Sequence, residues 1–525
     1  MILKKGSQEV KTKDSVIRNI ATAAKAIGLT FYRGLGPNGM NIFVCDEKGD
    51  TFYAHDAYTA LQAIRNSMSH PVARLIHEAV KTIDDNVGDG GKIFCILLGE
   101  AMKNAEKLRE EGVRTANIIA GYSAAIKKSI DLLDSLAINV DESKLFHLIQ
   151  HVIHRLPLSN IERDTITDLV IEAIKYVTAD GSEFDPYFVK VKNKLGGDVS
   201  GSFLVKGVVI DKIWPGYIQM PQYVESPKIA LLTSPIEIKK TSLKYEYVVS
   251  PKDVNGLKNV RDGVSEFYKS AVRHIVSTGA KVVLSRKELH DEVLEGLSRE
   301  GVISAYRFND EEILFLSRAT GARPVHNHEL LTSADLGEAD IARQFKIGNE
   351  RWILIEGCKR GSACTIVLRG NSFKALKMYE KAVTKSLRVA RSFLLDRRVL
   401  PGGGATELYI SQRLKEWAHN LQDQKSLPVL KMADCFEKIP YLLALNTGKD
   451  PWELLTRLRS LHFRGYPRYG IDSFGVLDDM VEKGVITPIK VVENILKILD
   501  EVLQQLLRVE NVVIARQIKG NVTTR

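Results

Sequence analysis

Cysteine is scarce in this chain: Cys45, Cys95, Cys358, Cys364 and Cys435 are the only five in 525 residues, odd in number and scattered. Such a set argues against a disulfide framework and fits a reducing compartment. Only Cys358 and Cys364 lie near each other. Their spacing is not that of a zinc knuckle and no second pair or clustered histidine completes a site, so both are expected as small buried side chains, with no structural zinc. Long apolar runs are missing too. Nothing approaches the ~18 uncharged apolar residues of a membrane span, and Met1-Ile2-Leu3-Lys4-Lys5 opens no apolar core of a secretory leader. The expectation is a cytoplasmic chain with no membrane partner. Compositional bias is also absent: 44% hydrophobic and 26% charged residues give no sign of disorder or collagen, and the length suits roughly three or four domains of about 150 residues. Finally, no single run gathers the positive charge, 74 Lys plus Arg against 64 Asp plus Glu. A net charge of +10 permits nucleic acid as a partner without demanding it, and a solvated basic surface is its more frequent meaning.

What is present begins with Gly88-Asp89-Gly90-Gly91-Lys92, directly before the apolar run Ile93 to Leu98. A glycine-flanked carboxylate opening a helix makes a site for phosphate and metal. The free backbone N–H groups and the positive helix end face an anion, and Asp89 can hold Mg²⁺. Alone, such a turn is often only a turn. Two further Gly-rich turns, Leu35 to Gly39 and Pro401 to Gly404, and a second carboxylate in His55-Asp56-Ala57 accompany it.

Periodicity sets these turns in a frame. Ile17, Ile20, Ala21, Ala24 and Ile27 recur at helical spacing between Asp14 and Phe31. Two short strands, Ile42 to Cys45 and Thr51 to Ala54, follow around the turn Asp46-Glu47-Lys48-Gly49, and helices are expected from about Tyr58 to Val87 and from Lys92 to Arg109. Near Val208 the texture changes. Strand-like runs, Lys228 to Leu232, Ala280 to Leu284 and Val302 to Phe308, alternate with helical ones and imply an α/β domain ending near Gly370. Within it, Ser250-Pro251-Lys252-Asp253 is a good helix start, and the stripe Val254, Leu257, Val260, Val264, Phe267 and Ala271 follows, weakened by Gly256 and Gly263. A long helix from Ser372 carries Leu376, Tyr379, Val383, Leu387, Ala390 and Leu394 on one face, and the chain is then mostly helical to about Leu506. Helix-rich ends around an α/β middle imply one split domain with another inserted into it.

The chain resembles the group II chaperonins, the family of the archaeal thermosome and the eukaryotic cytosolic chaperonin. The likeness runs nearly end to end through the three glycine turns and through Ser234-Pro235-Ile236-Glu237-Ile238-Lys239-Lys240-Thr241, Ala319-Thr320-Gly321-Ala322, Asp335-Leu336-Gly337-Glu338-Ala339, Glu356-Gly357-Cys358-Lys359, Leu368-Arg369-Gly370, Pro401 to Glu407 and Glu482-Lys483-Gly484-Val485-Ile486. It implies an α/β multidomain chaperonin fold. A helical equatorial domain is split between 1–144 and 402–525, an intermediate hinge between 145–207 and 369–401, and an α/β apical domain spans 208–368 with a helical protrusion at about 250–275. It also implies ATP or ADP with Mg²⁺ as cofactors, unfolded or partly folded proteins as partners, and a ring built from copies of itself or mixed with paralogous subunits. Leu35, Gly36, Pro37 and Gly403 fall on the loops that hold the nucleotide. Asp89 falls on the carboxylate that binds Mg²⁺, and Asp56 on one beside the attacking water.

Several positions depart from the family pattern. Where the family writes Gly-Asp-Gly-Thr-Thr, Gly91 and Lys92 replace the two hydroxyls, although Lys92 can still meet a phosphate as a point charge. The family's water-activating aspartate falls on Lys385. A protonated lysine cannot take a proton from water, and loss of a positioned general base typically costs ~10² to 10⁴ in rate. Two unit charges about 4 Å apart interact by about 4 kcal/mol at an effective dielectric near 20, so Lys385 can pair with Asp56 or Asp89 and replace the metal. Thr487 stands where an acidic residue usually holds the ribose, Ile42 replaces a lysine, and His55 and Ala57 flank Asp56 in place of Asn and Gly. The competing account is drift, with Lys385 solvated on a helix face shared with Lys377, Lys381, Thr384 and Arg388. The expected function is a chaperonin-like ring subunit that binds non-native protein, its ATP hydrolysis weakened or lost. A fully active ATP-dependent folding chaperonin is the first alternative and a basic nucleic-acid-binding ring scaffold the second. The tail from Arg516 to Arg525 is given no chemistry.

Overall fold

The computed structural model describes residues 8–9, 13–45, 49, 51–65, 68, 70–154, 156–179, 181, 183–211, 220–237, 254–347, 350–358, 363–509 and 513–514. The turn 46–48, residues 238–241 and 359 of two family-like stretches, the helix start 250–253 and the tail 516–525 lie outside them. The chain forms two compact units, Met1–Arg163 with Thr384–Arg525, and Asp164–Val383. Among the described residues, no helix is long and apolar enough to cross a membrane.

The first unit is a helical body assembled from both ends of the sequence. The Lys13–Thr30 and Gly91–Glu110 helices pack closely, and the Pro71–Val87, Thr115–Leu136, Ala405–Asn420, Ser426–Asn446 and Ile489–Leu507 helices complete one core. Ile20, Ala24, Phe94, Leu98, Met102, Tyr122, Phe436 and Leu499 lie at its centre with almost no exposed surface. Apolar stripes at i, i+3 and i+4 provide this, because each helix can bury only the face its sequence makes oily. One expected helix is in fact two. Between Tyr58 and Val87 the chain forms Ala57–Ala63 and then Pro71–Val87. Pro71 has no N–H to give a preceding turn, so it takes the first position of a new helix, and the His70 ring accepts from the Val72 amide at 3.3 Å. The strands Ile42–Cys45 and Thr51–Ala54 pair antiparallel, Ile42 opposite Ala54. A second small sheet joins Arg398–Pro401 to Ile486–Pro488 and Ile138–Asn139, and a two-residue ladder pairs Gln8–Glu9 with Val513–Ile514.

The second unit carries the α/β texture. Lys228–Leu232 lies parallel to Val282–Ser285, which lies parallel to Ile303–Tyr306, while Pro324–Val325 extends the sheet and Gly337–Glu338 pairs antiparallel to Lys228–Leu232. Both faces of this sheet are covered. Ile229, Leu231, Val282 and Leu284 pack with Ile313 and Leu316 on one side, whereas Ala230, Leu232 and Val283 pack with Ala271, Ile275, Val293 and Leu297 on the other. That is why these strands read as unbroken apolar runs rather than as alternation. The Val254–Ser277 helix continues through Gly256 and Gly263. Two further sheets complete the unit, one joining Gly207–Ile210, Glu350–Glu356, Ile341–Ile347 and Tyr223–Glu225, the other joining Val189–Leu195, Cys364–Gly370 and Phe203–Val205. Cys358 and Cys364 are buried, and burial pushes each thiol up to about 12.

Candidate functional site

In the first unit a cavity of about 490 Å³ gathers the residues singled out from the sequence. Leu35, Gly36 and Pro37 line it from the loop after Tyr32–Gly34, and Asp56 from the start of the Ala57–Ala63 helix. Gly88, Asp89, Gly90, Gly91 and Lys92 line it from the turn between the Pro71–Val87 and Gly91–Glu110 helices. Gly403 enters from the turn after Arg398–Pro401, Thr487 from the Ile486–Pro488 strand, and Lys385 from the Phe373–Leu395 helix.

The central turn requires its glycines. Gly88 ends the Pro71–Val87 helix in the left-handed region at φ +74°, and a Cβ there would stand 2.9 Å from the Lys385 carbonyl oxygen and 2.9 Å from the Arg388 Cβ. Backbone angle and close approach both exclude a side chain. Gly90, at φ +98°, then opens the next helix with no side-chain cap. Gly91, Lys92 and Ile93 line the cavity, so the first-turn amides and positive end of a twenty-residue helix lie beside it. Lys92 does not extend into solvent: its ammonium donates to the Gly34 carbonyl oxygen at 2.5 Å, tying this turn to the Leu35–Pro37 loop.

Lys385 is not solvated. Its side chain is 12% exposed, and its ammonium lies 3.5 Å from Asp56 Oδ2 and 3.5 Å from Asp84 Oδ1. Burial works against its charge, but the fields of Asp56, Asp84 and Asp89 and a hydrogen bond to Asp84 outweigh it and hold the amine above its ordinary range. It is a protonated cation at any physiological pH. Asp56 is engaged in turn. Its Oδ1 accepts from the Thr59 amide at 2.9 Å as the helix N-cap, and its Oδ2 accepts from the Thr59 hydroxyl at 3.2 Å besides facing Lys385. Both of its oxygens are thus engaged.

Three residues of this cluster, Asp84, Asp85 and Arg388, are absent from the sequence-based candidates. Asp84, on the last turn of the Pro71–Val87 helix, pairs with Lys385 and also with Arg388 Nη1 at 2.6 Å, while Arg388 Nη2 reaches Asp85 at 2.9 Å. The available signal was spacing: Lys385 and Arg388 stand three apart on one helix face, and Asp84 and Asp85 stand just before Gly88. A second pair, Asp472 and Lys483 at 2.8 Å, also lines the cavity. Burial would raise the Asp472 carboxyl, but Lys483 and the Val476 and Phe474 amides hold it below the usual range.

A nucleotide fits these residues. Glycine loops, a helix start and three lysines around a cavity are a phosphate-binding set. A divalent ion fits poorly. Among the described residues no group of three or more His, Cys, Asp or Glu side chains is arranged to hold one by itself, and Asp56 and Asp84 already face the Lys385 ammonium.

Comparison with known proteins agrees with this geometry. The profile of the TCP-1/cpn60 chaperonin family matches residues 30–517. A thermosome subunit of Methanopyrus kandleri is 34% identical over 526 residues, covering 99% of this chain and 95% of its own. Thermosome subunits alpha and beta of Archaeoglobus fulgidus are 32% and 31% identical, each over 98% of this chain and 95% of their own. With the family matched across nearly its whole length, the chain belongs to the TCP-1/cpn60 chaperonins and, within them, to group II.

Proposed function

We propose that this chain is a group II chaperonin ring subunit that binds non-native protein and whose ATP hydrolysis is weakened or lost. The observation that carries the proposal is Lys385, buried 3.5 Å from Asp56 and 3.5 Å from Asp84, at the position where the family's water-activating aspartate aligns. The two carboxylates that face Lys385 are already engaged. Asp56 is held by Thr59 and Lys385, and Asp84 by Lys385 and Arg388. Leu35, Gly36, Pro37, Gly88 to Lys92 and Gly403 would hold the phosphates of ATP or ADP, with Thr487 near the ribose. Bound ATP supplies the γ-phosphate whose transfer to water is the family's reaction.

The domain division follows the family: equatorial 1–144 and 402–525, intermediate 145–207 and 369–401, apical 208–368 with its protrusion at about 250–275, and client protein bound at the apical domain. The two Archaeoglobus relatives, named alpha and beta, favour a mixed ring with paralogous subunits over a ring of one chain. The cytoplasm is the expected location. Phosphate release by the pure protein, compared with Asp89→Ala, tests the reading. Release at the Asp89→Ala level is expected, and clear Asp89-dependent turnover would overturn it in favour of an active folding chaperonin.

A further inference from the structure

The cluster around Lys385 is more than a missing base. Its ammonium lies 3.5 Å from carboxylate oxygens on two different helix ends, Asp56 Oδ2 and Asp84 Oδ1, with 12% of the side chain exposed. Arg388 takes the other oxygen of Asp84 at 2.6 Å. Asp89, one turn of chain from Asp84, lines the same cavity and acts on the same ammonium. A cation therefore already stands among the carboxylates that a divalent ion would use. Across the loop Lys92 brings a second cation, fixed to the Gly34 carbonyl oxygen.

Resting on the reading of this cavity as a nucleotide pocket, we infer that Lys385 is a built-in counter-ion that takes the place of Mg²⁺, so that the pocket binds a nucleoside di- or triphosphate in its metal-free form. The charge balance supports this. Relative to the family pattern, the Asp-to-Lys change at 385 by itself adds two positive units, equal to the charge a magnesium ion brings. A divalent ion entering beside Lys385 would meet a like charge in a poorly solvated site, where screening is weak. Because the ammonium is covalently attached, its position costs no ion uptake and does not depend on free magnesium.

Binding of fluorescently labelled ADP to the full-length protein, followed by anisotropy in excess Mg²⁺ and in excess EDTA, tests the inference. The two wild-type affinities are expected to agree within about twofold, whereas Lys385→Asp should bind about tenfold more weakly in EDTA than in Mg²⁺, within the range usual for coupled ligands. A wild-type affinity that rises tenfold or more with Mg²⁺ overturns the counter-ion, as does wild-type binding that vanishes in EDTA. A second readout needs no variant: in Mn²⁺ titration followed by electron paramagnetic resonance, the wild type without nucleotide should leave the ion free, and stoichiometric Mn²⁺ uptake at this site overturns the inference. Failure of the broader reading looks different. Asp89-dependent phosphate release with EDTA-insensitive affinity removes the loss of hydrolysis and leaves the counter-ion, while absence of ADP binding in both buffers removes the nucleotide pocket and the counter-ion together.

Discussion

Arg388 holds Asp84 at two points, through the backbone carbonyl oxygen at 3.0 Å and through the side-chain Oδ2 at 2.6 Å. The same guanidinium therefore closes the C-terminal end of the Pro71–Val87 helix and neutralises a carboxylate facing the cavity. A cation at a helix C-terminus also meets the negative end of the dipole.

Removing that cation takes from Asp84, whose side chain is only 12% exposed, its partner at 2.6 Å and leaves Lys385 facing it at 3.5 Å. Arg388→Met should destabilise the protein by about 3 kcal/mol, the lower end for breaking a buried ion pair. Asp85→Asn removes the outer, half-exposed partner and should cost less than about 1 kcal/mol. Urea denaturation of the two variants measures both, and equal losses would contradict the assignment of Asp84 as the buried partner.

Lys92→Met removes the ammonium that joins the helix start to the Gly34 carbonyl oxygen. A charged hydrogen bond of this kind contributes about 1.5–3 kcal/mol, and the same group is a positive point charge at the end of the glycine turn. The variant should lose affinity for labelled ADP by about tenfold, worth about 1.4 kcal/mol, and anisotropy titration reads it. Lys92→Arg, which keeps the charge, should recover part of the loss.

Gly88→Ala asks a residue with a Cβ to adopt φ +74° and to stand 2.9 Å from the Lys385 carbonyl oxygen. Left-handed backbone alone costs about 1–2 kcal/mol for a residue with a side chain, and relief of the contact must shift the helix that carries Lys385. Thermal unfolding should show a lowered midpoint, whereas Gly181→Ala, at a similar φ with nothing near its Cβ, should lower it less.

Acid should weaken the first unit through Glu437. Burial raises this carboxyl, but hydrogen bonds from Arg459 and Lys415, the latter at 2.7 Å, outweigh it and hold it below the usual range. A depressed folded value means the contribution is complete above the unfolded pKa of about 4.3 and is lost as pH falls through the folded value. The gap in melting temperature between wild type and Glu437→Gln should thus be constant near neutrality and shrink below about pH 4. A gap that persists at pH 3 would show that the cost lies in packing and not in charge.

The short-range grammar of this chain is readable at the residue level. Ile42–Cys45 and Thr51–Ala54 have the bounds their strand-forming residues suggest, and the glycine turns at 36, 88 and 403 lie on one cavity. The break between Ala63 and Pro71 was also written in the chain, because proline cannot continue a helix, but a steady apolar rhythm on both sides obscured it. Partnership across long sequence separations was not readable. Arg388 and Asp84 are 304 positions apart, and their meeting depends on how two helices cross. The burial of Lys385 had the same cause: on its own helix it sits among Lys377, Lys381 and Arg388 and looks like part of a solvated stripe. The neighbouring helix ends enclose Lys385, while Lys377 on the same stripe stays exposed.

The first unit is made of two stretches of chain with the whole of Asp164–Val383 between them. Ile495 and Leu499 of the last long helix share a core with Ile76 and Val80 of the third. During translation, the faces of Met1–Arg163 that meet the last long helix must therefore remain uncovered until that helix leaves the ribosome, while the intervening segment can already close on itself. At ~5–20 residues per second that interval lasts roughly fifteen seconds to over a minute. The nascent amino-terminal portion is thus the part of this protein most dependent on help from holdases, and a ribosome stall before Ile489 would release a half-built body prone to clumping.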